Sequence, residues 1–192
     1  MRDLFGAKPM ALANTELLYD NEIANIVADM GYRAILCHPM DHMMDARTGE
    51  VIAVNKVFRA RGRKGRARKL AVLVQNARLS HLLLSGLTES SVTAAQYAEQ
   101  IQAVGGEVAL VAGDFPVVEE GTPAFEAMVE FWRSLQDVFA GRDDIITTNP
   151  SEVAEWFQIS DCPMLDCRIP ESERESEQIE DAKAPPMLKS RA

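Results

Sequence analysis

Apolar runs of strand length alternate with longer amphipathic segments along most of the chain. Residues 33–37, 70–75 (LAVLVQ) and 107–112 (EVALVA) are predicted to be buried strands, and the last of these has the clearest pattern. Shorter extended pieces are predicted at residues 10–15 and 145–147. Strands that alternate with helices are typical of βα units around a parallel sheet, so the pattern predicts an α/β fold.

Helical spacing of apolar residues, combined with capping residues, predicts four helices. The first runs to residue 30, can be capped by Asp20 or Asn21, and can end at Gly31. Thr93 can cap a second helix that reaches residue 104. A long amphipathic helix is predicted from near Pro123 to residue 139, and a short one over residues 152–157.

The periodicity fails between residues 38 and 69, except for a predicted hairpin through residues 50–58. This stretch is the longest loop-like insertion. After residue 170 the composition changes to Glu, Ser, Lys and Pro with almost no apolar content. We therefore expect one domain over residues 1–158 and a tail over residues 159–192 that is disordered from about residue 171.

Size and charge restrict the classes of function. A chain of 192 residues with 47% apolar content can bury the core of one domain. Its formal net charge of -9 makes the whole chain a poor electrostatic match for nucleic acid or an anionic membrane. The run from Arg59 to Lys69 is the exception, with seven basic residues among eleven. We interpret it as a solvated loop, with binding of a polyanion as the alternative.

The three cysteines, Cys37, Cys162 and Cys167, are an odd number at irregular spacing. They predict neither a disulfide framework nor a four-ligand zinc site, and they fit a reducing compartment. Cys37, His38 and His42 are too few and too irregular to predict a metal site, and no cofactor is expected. Since residues 1–8 lack the apolar run of a secretory signal and no stretch is long enough to span a bilayer, we expect a cytoplasmic protein.

Two acidic residues follow predicted strands. Glu16 comes after the extended segment ALANT, and Asp114 comes after EVALVAG. In parallel α/β folds, chemistry takes place beyond the carboxyl ends of the strands, where the loops converge over a rigid sheet. Two carboxylates at neighbouring strand ends are the minimum that glycoside hydrolysis requires, so the pair is a candidate catalytic site.

The residues around the two acids resemble the α-amylase branch of glycoside hydrolase family 57. The segment NTELLY at residues 14–19, which continues through NEIANIVADMGYRAIL, is similar to the family segment that carries the nucleophilic glutamate. Residues 76–80 (NARLS), the stretch TAAQYAEQI and residues 149–152 (NPSE) resemble later family segments in the family's order.

The resemblance implies a function and an architecture. It assigns attack on the anomeric carbon to Glu16, and proton donation followed by activation of water to Asp114. It implies an α-glucan or oligosaccharide substrate, and retention of configuration if the two carboxyl groups lie about 5–5.5 Å apart. It also implies a parallel-stranded, partial barrel of seven βα units that lacks its first strands, and it leaves the substrate-binding residues unassigned.

Two alternatives to an active hydrolase stay open at this point. The family's opening strands, with their His-Gln-Pro motif, have no counterpart here, and the loop after Asp114 departs from the family pattern. A non-catalytic homologue that acts as a binding module through the basic run would explain these departures. A truncated gene product would also explain them, and its unpaired apolar flank would favour a homo-oligomer.

Overall fold

The computed structural model describes residues 9–62, 69–89, 91–114 and 118–167. Five helices lie in this part of the chain: α1 (Asn21–Asp29), α2 (Ala77–Glu89), α3 (Ala94–Val104), α4 (Pro123–Ala140) and α5 (Pro150–Trp156). Six strands accompany them: β1 (Ala11–Leu12), β2 (Ala34–Cys37), β3 (Met43–Asp45), β4 (Val57–Ala60), β5 (Ala71–Val74) and β6 (Met164–Cys167).

The six strands form one sheet in the order β1-β2-β5-β4-β6-β3. β1 is parallel to β2, β2 is parallel to β5, and β4 is parallel to β6. β4 is antiparallel to β5, and β3 is antiparallel to β6. The predicted α/β class is confirmed, and most of the strand pairs are parallel. The partial barrel of seven βα units that the family resemblance implies stays a prediction.

The antiparallel pairing of β4 with β5 has a simple cause in the length of the connection. β4 ends at Ala60 and β5 begins at Ala71, so ten residues (61 to 70) join them. Two adjacent parallel strands need a crossover connection of about a dozen residues or more, whereas antiparallel strands can be joined by much shorter ones. The chain therefore turns back beside β5.

α1 begins and ends as its sequence predicts. The side chain of Asp20 accepts hydrogen bonds from the backbone N–H groups of Glu22 and Ile23, at 2.8 and 2.6 Å. At the other end, Gly31 adopts a φ of 88°, a left-handed conformation that glycine adopts without steric cost. The backbone N–H of Tyr32 then reaches the carbonyl oxygen of Val27, so the helix ends in a Schellman motif.

Three further predicted helices are also confirmed, each with its own N-cap. Thr93 and Gln96 form a capping box at the start of α3. The side chain of Thr122 caps α4, whose first residue is Pro123. Asn149 caps α5 and accepts hydrogen bonds from two backbone N–H groups of its first turn.

The apolar core consists of three clusters. The first lies between α1 and one face of the sheet and includes Tyr19, Val27, Ile35 and Val72. The second lies on the opposite face, where Val153 and Ala154 of α5 pack on residues of β2 and β5. The third joins α2, α3 and α4. The sheet thus has α1 on one face and α5 on the other, with a separate three-helix layer beside them.

Three strand predictions were wrong. Residues 107–112 form no strand and make a single parallel bridge, between Gln75 and Leu110. The reason is that β4 pairs with β5 as far as Leu73 and so occupies the side of β5 on which residues 107–112 would pair. Residues 145–147 form no strand either, and the side chain of Ile146 is exposed. The hairpin predicted at residues 50–58 lies earlier in the chain, where Met44 bridges to Val51.

The sheet also extends beyond the limits that the sequence suggested. β6 lies past residue 158, and it pairs with β3 and β4. The helix α2 was not predicted. The tail that was expected to be disordered from about residue 171 lies outside the described residues. Within the described ranges, no helix is long and apolar enough to cross a membrane.

Candidate functional site

Four chain segments end at the same edge of the sheet. β1, β2 and β5 are consecutive parallel neighbours, and Gln75 at the end of β5 makes its parallel bridge to Leu110. The carboxyl ends of these four segments therefore point in one direction. Glu16 follows the first segment and Asp114 follows the fourth. The structure places both predicted acids at the edge where parallel α/β proteins position reactive groups.

Glu16 lies in a turn that is closed by the side chain of Asn14. The amide oxygen of Asn14 accepts a hydrogen bond from the backbone N–H of Leu18 at 2.7 Å, and its amide nitrogen donates to the Leu18 carbonyl at 2.9 Å. Leu17 has a φ of 50°, which is unusual for a residue with a Cβ. Its carbonyl oxygen accepts a hydrogen bond from the backbone N–H of His38, just beyond β2. Glu16 is thus exposed on a turn that is bound to the neighbouring strand.

Asp114 follows a segment that is held by side chains as well as by backbone. The backbone N–H of Asn76 donates to the carbonyl oxygen of Leu110 at 2.8 Å. The side-chain nitrogen of Gln75 donates to the carbonyl oxygen of Ala112 at 2.6 Å, and the backbone N–H of Ala112 donates to Ser80 Oγ at 3.2 Å. These contacts fix the chain two residues before Asp114.

A small pocket with a volume of about 170 Å³ opens beside Asp114. Its walls are mostly apolar and come from α2, α4 and the segment before Asp114. They are formed by Ser80, Leu83, Leu84, Leu87, Val111, Ala112, Gly113, Asp114 and Trp132. The pocket is smaller than the roughly 300–1,000 Å³ that is typical of ligand sites.

Glu16 does not line this pocket. Three inter-strand spacings separate β1 from the Leu110 segment, which amounts to roughly 14 Å between backbones at about 4.8 Å each. Both acids are exposed, and neither carboxyl group has a hydrogen-bond partner among the described residues. The structure therefore brings the two acids to one edge without joining them through a contact.

Two of the three cysteines, Cys37 and Cys167, are buried. The Cys37 side chain is fully buried, and burial, reinforced by nearby Cys167, raises the pKa of its thiol far above the ordinary value. Burial also raises the pKa of Cys167 to about 12, with Asp20 and Asp166 adding to the shift. Both thiols stay protonated at neutral pH, which makes them poor nucleophiles. In the ranges that the structure covers, no group of three His, Cys, Asp or Glu residues could hold a metal ion.

The basic run from Arg59 to Lys69 falls partly outside the described residues, since residues 63–68 are not among them. The side chain of Arg59 donates through Nε to the carbonyl oxygen of Cys162 at 3.0 Å. Arg61 forms an ion pair with Asp166. Both arginines are engaged within the fold, so neither of them supports the binding-module alternative, whereas Lys69 is exposed.

Ser80, Gln75 and Trp132 are site residues that the sequence did not single out. Ser80 lies within the NARLS segment and Trp132 lies within the predicted long amphipathic helix, and neither was named as a candidate. A usable signal was present in the two adjacent amides, Gln75 and Asn76, at the end of an apolar strand. Polar side chains at that position either bind a ligand or hold a neighbouring segment.

The family model described as "Glycosyl hydrolase family 57" matches residues 1–166. A protein of Methanocaldococcus jannaschii described as "Putative alpha-amylase" is 26% identical over an alignment of 162 residues that covers 82% of this chain. The alignment covers 32% of that protein, so the chain spans about a third of the length of this curated relative. No solved structure matches the chain.

Proposed function

The chain belongs to glycosyl hydrolase family 57, and we propose that it contributes the two catalytic carboxylates of an enzyme that cleaves or transfers α-glucosidic bonds. The observation that carries the proposal is the position of Glu16 and Asp114 beyond the carboxyl ends of segments that run parallel at one edge of the sheet. The curated relative described as an alpha-amylase supports α-glucans as the substrate class.

In the proposed mechanism the two acids have different roles. Glu16 attacks the anomeric carbon and forms a covalent glycosyl intermediate, while Asp114 protonates the departing oxygen. Asp114 then removes a proton from water, which attacks the same carbon and releases the sugar. Two inversions at one centre give net retention of configuration.

This mechanism requires the two carboxyl groups to lie about 5–5.5 Å apart. We propose that the edge that carries them forms part of a closed barrel, as in the family. In a closed barrel the strands curve around an axis, so segments three positions apart can face each other across the interior. The small pocket beside Asp114 would then be one wall of a larger groove.

Trp132 contributes to that wall. Its indole lies in the pocket lining together with Asp114, and the helix α4 that carries it packs against α2 and α3. A flat apolar ring that is held by a helix offers a rigid contact surface at little cost in conformational entropy. We propose that it contacts the apolar face of a sugar ring next to the cleaved bond.

A reducing-sugar assay on a maltooligosaccharide tests the proposal. Glu16→Gln should abolish turnover, and Asp114→Asn should lower it by about 10²–10⁴-fold because general acid–base help is lost. Glu50→Gln is the matched control, since Glu50 is an exposed acid in the turn after β3. The anomeric configuration of the first product, followed by NMR, should be retained. Equal rates for the wild type and Glu16→Gln would remove Glu16 from the mechanism.

A further inference from the structure

The buried polar residues of the described chain are concentrated in one place. They are Gln75, Asn76 and Ser80, each with 4% of its surface exposed. All three lie between the end of β5 and the first turn of α2. Burying a polar side chain is unfavourable unless its hydrogen bonds are made, so three of them together indicate a specific role at this position.

The hydroxyl group of Ser80 has its full complement of hydrogen bonds. It donates to the carbonyl oxygen of Asn76 at 2.9 Å. It accepts from the backbone N–H of Ala112 at 3.2 Å and from the side-chain nitrogen of Gln75 at 3.0 Å. A hydroxyl has one proton to donate and two lone pairs, and all three are in use. Ser80 therefore has no capacity left to bind a ligand, although it lines the pocket.

Gln75 completes the same network. Its side-chain nitrogen donates to Ser80 and also to the carbonyl oxygen of Ala112 at 2.6 Å. Because the proton of the Ser80 hydroxyl is already donated to Asn76, Gln75 must present its NH2 group to Ser80, and the orientation of the amide is fixed. Accordingly, the amide oxygen of Gln75 has no partner among the described residues.

The network holds both backbone groups of a single residue. The N–H of Ala112 is bound by Ser80 and its carbonyl oxygen by Gln75. This segment makes only one bridge to the sheet, so side chains replace the ladder that a full strand would provide. Gly113 lies against α2, since a Cβ there would lie 3.2 Å from Leu84 Cδ1. The backbone that leads into Asp114 is thus fixed by α2 as well as by β5.

We propose that Ser80 and Gln75 are positioning residues for the proton-donating step, which they serve by fixing the backbone of Ala112 and hence the carboxyl group of Asp114. This inference rests on the proposed function, because it assigns the proton to Asp114. It adds that the orientation of the acid depends on a side-chain network, with Ser80 as its centre.

The test compares Ser80→Ala with Ser85→Ala. Ser85 lies in the same helix, and its hydroxyl makes no hydrogen bond with the described residues. On a maltooligosaccharide, Ser80→Ala should lower kcat by about 10²-fold with little change in KM, since a displaced acid impairs the chemical step. On a 2,4-dinitrophenyl glucoside, whose leaving group needs no proton, kcat/KM reports the glycosylation step and should fall only about threefold. Ser80→Thr keeps the hydroxyl and should recover most of kcat.

Hydrogen exchange provides a second measurement that does not depend on activity. The amide of Ala112 should exchange about tenfold faster in Ser80→Ala than in Ser85→Ala, because its acceptor is removed. Equal exchange in the two variants would overturn the inference, and so would a loss of kcat/KM that is the same for both substrates. A wild-type protein that is inactive on both substrates would refute the proposed function itself. An active wild type with an unimpaired Ser80→Ala would refute only the role of Ser80.

Discussion

Gly106 is the position where one added methyl group should do the most damage to the fold. Its φ is 100°, and a Cβ there would lie 2.5 Å from the carbonyl oxygen of Asn55. That oxygen accepts hydrogen bonds from the backbone N–H groups of Glu107 and Val108, at 2.9 and 3.2 Å. The overlap is with backbone atoms, so no side-chain rotation can relieve it.

The destabilisation caused by Gly106→Ala follows from two contributions. The left-handed backbone costs a residue with a Cβ about 1–2 kcal/mol. The overlap with Asn55 adds about 1–3 kcal/mol, as for other overpacked sites. The expected loss of unfolding free energy is therefore about 2–5 kcal/mol. Gly49→Ala is the control, because Gly49 has a φ of 71° and a Cβ there would have no neighbouring atom within 4 Å, so only the first contribution applies.

Urea unfolding followed by circular dichroism measures both variants. With a slope of about 2 kcal/mol per M, Gly106→Ala should unfold about 0.5–1.5 M below Gly49→Ala. If the two midpoints agree within about 0.2 M, the backbone overlap contributes nothing and the reasoning is refuted.

Two further predictions concern buried groups. Leu79 is fully buried in the three-helix cluster, so Leu79→Ala should lower the free energy of unfolding, measured by thermal unfolding, by about 2–5 kcal/mol. Leu18 is 53% exposed, so the control Leu18→Ala should lower it by less than about 0.5 kcal/mol. Burial raises the pKa of the Cys167 thiol to about 12. The stability that comes from this raised pKa is complete below the unfolded pKa of about 8.5 and is lost as the pH rises towards 12. The free energy of unfolding should therefore fall between pH 8.5 and pH 11. Cys167→Ala should lessen that fall more than Cys162→Ala does. If the free energy of unfolding falls equally steeply with pH in the two variants, the argument is contradicted.

The helices were the most predictable part of the fold because their determinants are close together in the chain. Asp20 and Gly31 mark the two ends of α1 within twelve residues, and Thr93 marks the start of α3. α2 was missed because its apolar residues include the consecutive run LLL and a central glycine, Gly86, which blur the helical period. Gly86 is explained by a contact distant in sequence, since a Cβ there would lie 2.6 Å from the ring of Phe131.

The strands were less predictable because their partners are remote. β6 is short and contains Asp166, whose side chain accepts a hydrogen bond from Asn21, 145 residues earlier. Residues 107–112 have the composition of a strand, yet β4 occupies the side of β5 where they would pair. Local pattern indicates that a segment can form a strand, and the competition between segments for one edge decides whether it does.

One part of the candidate site could be predicted from the sequence, and another part could not. Position after apolar segments and the resemblance of the surrounding residues both selected Glu16 and Asp114, and the structure places both at one edge. The network around Ser80 could not be derived from the sequence, because it depends on Ala112 lying against α2, 32 residues away in the chain.

The sheet is bordered by its two shortest strands. β1 has two residues and β3 has three, while each of the four strands between them has four. Outer strands that are long and flat can recruit a strand from another molecule and start a fibril, whereas very short ones present too few free N–H and C=O groups to do so. In the described part of the chain, strand addition is therefore limited by geometry even at high protein concentration.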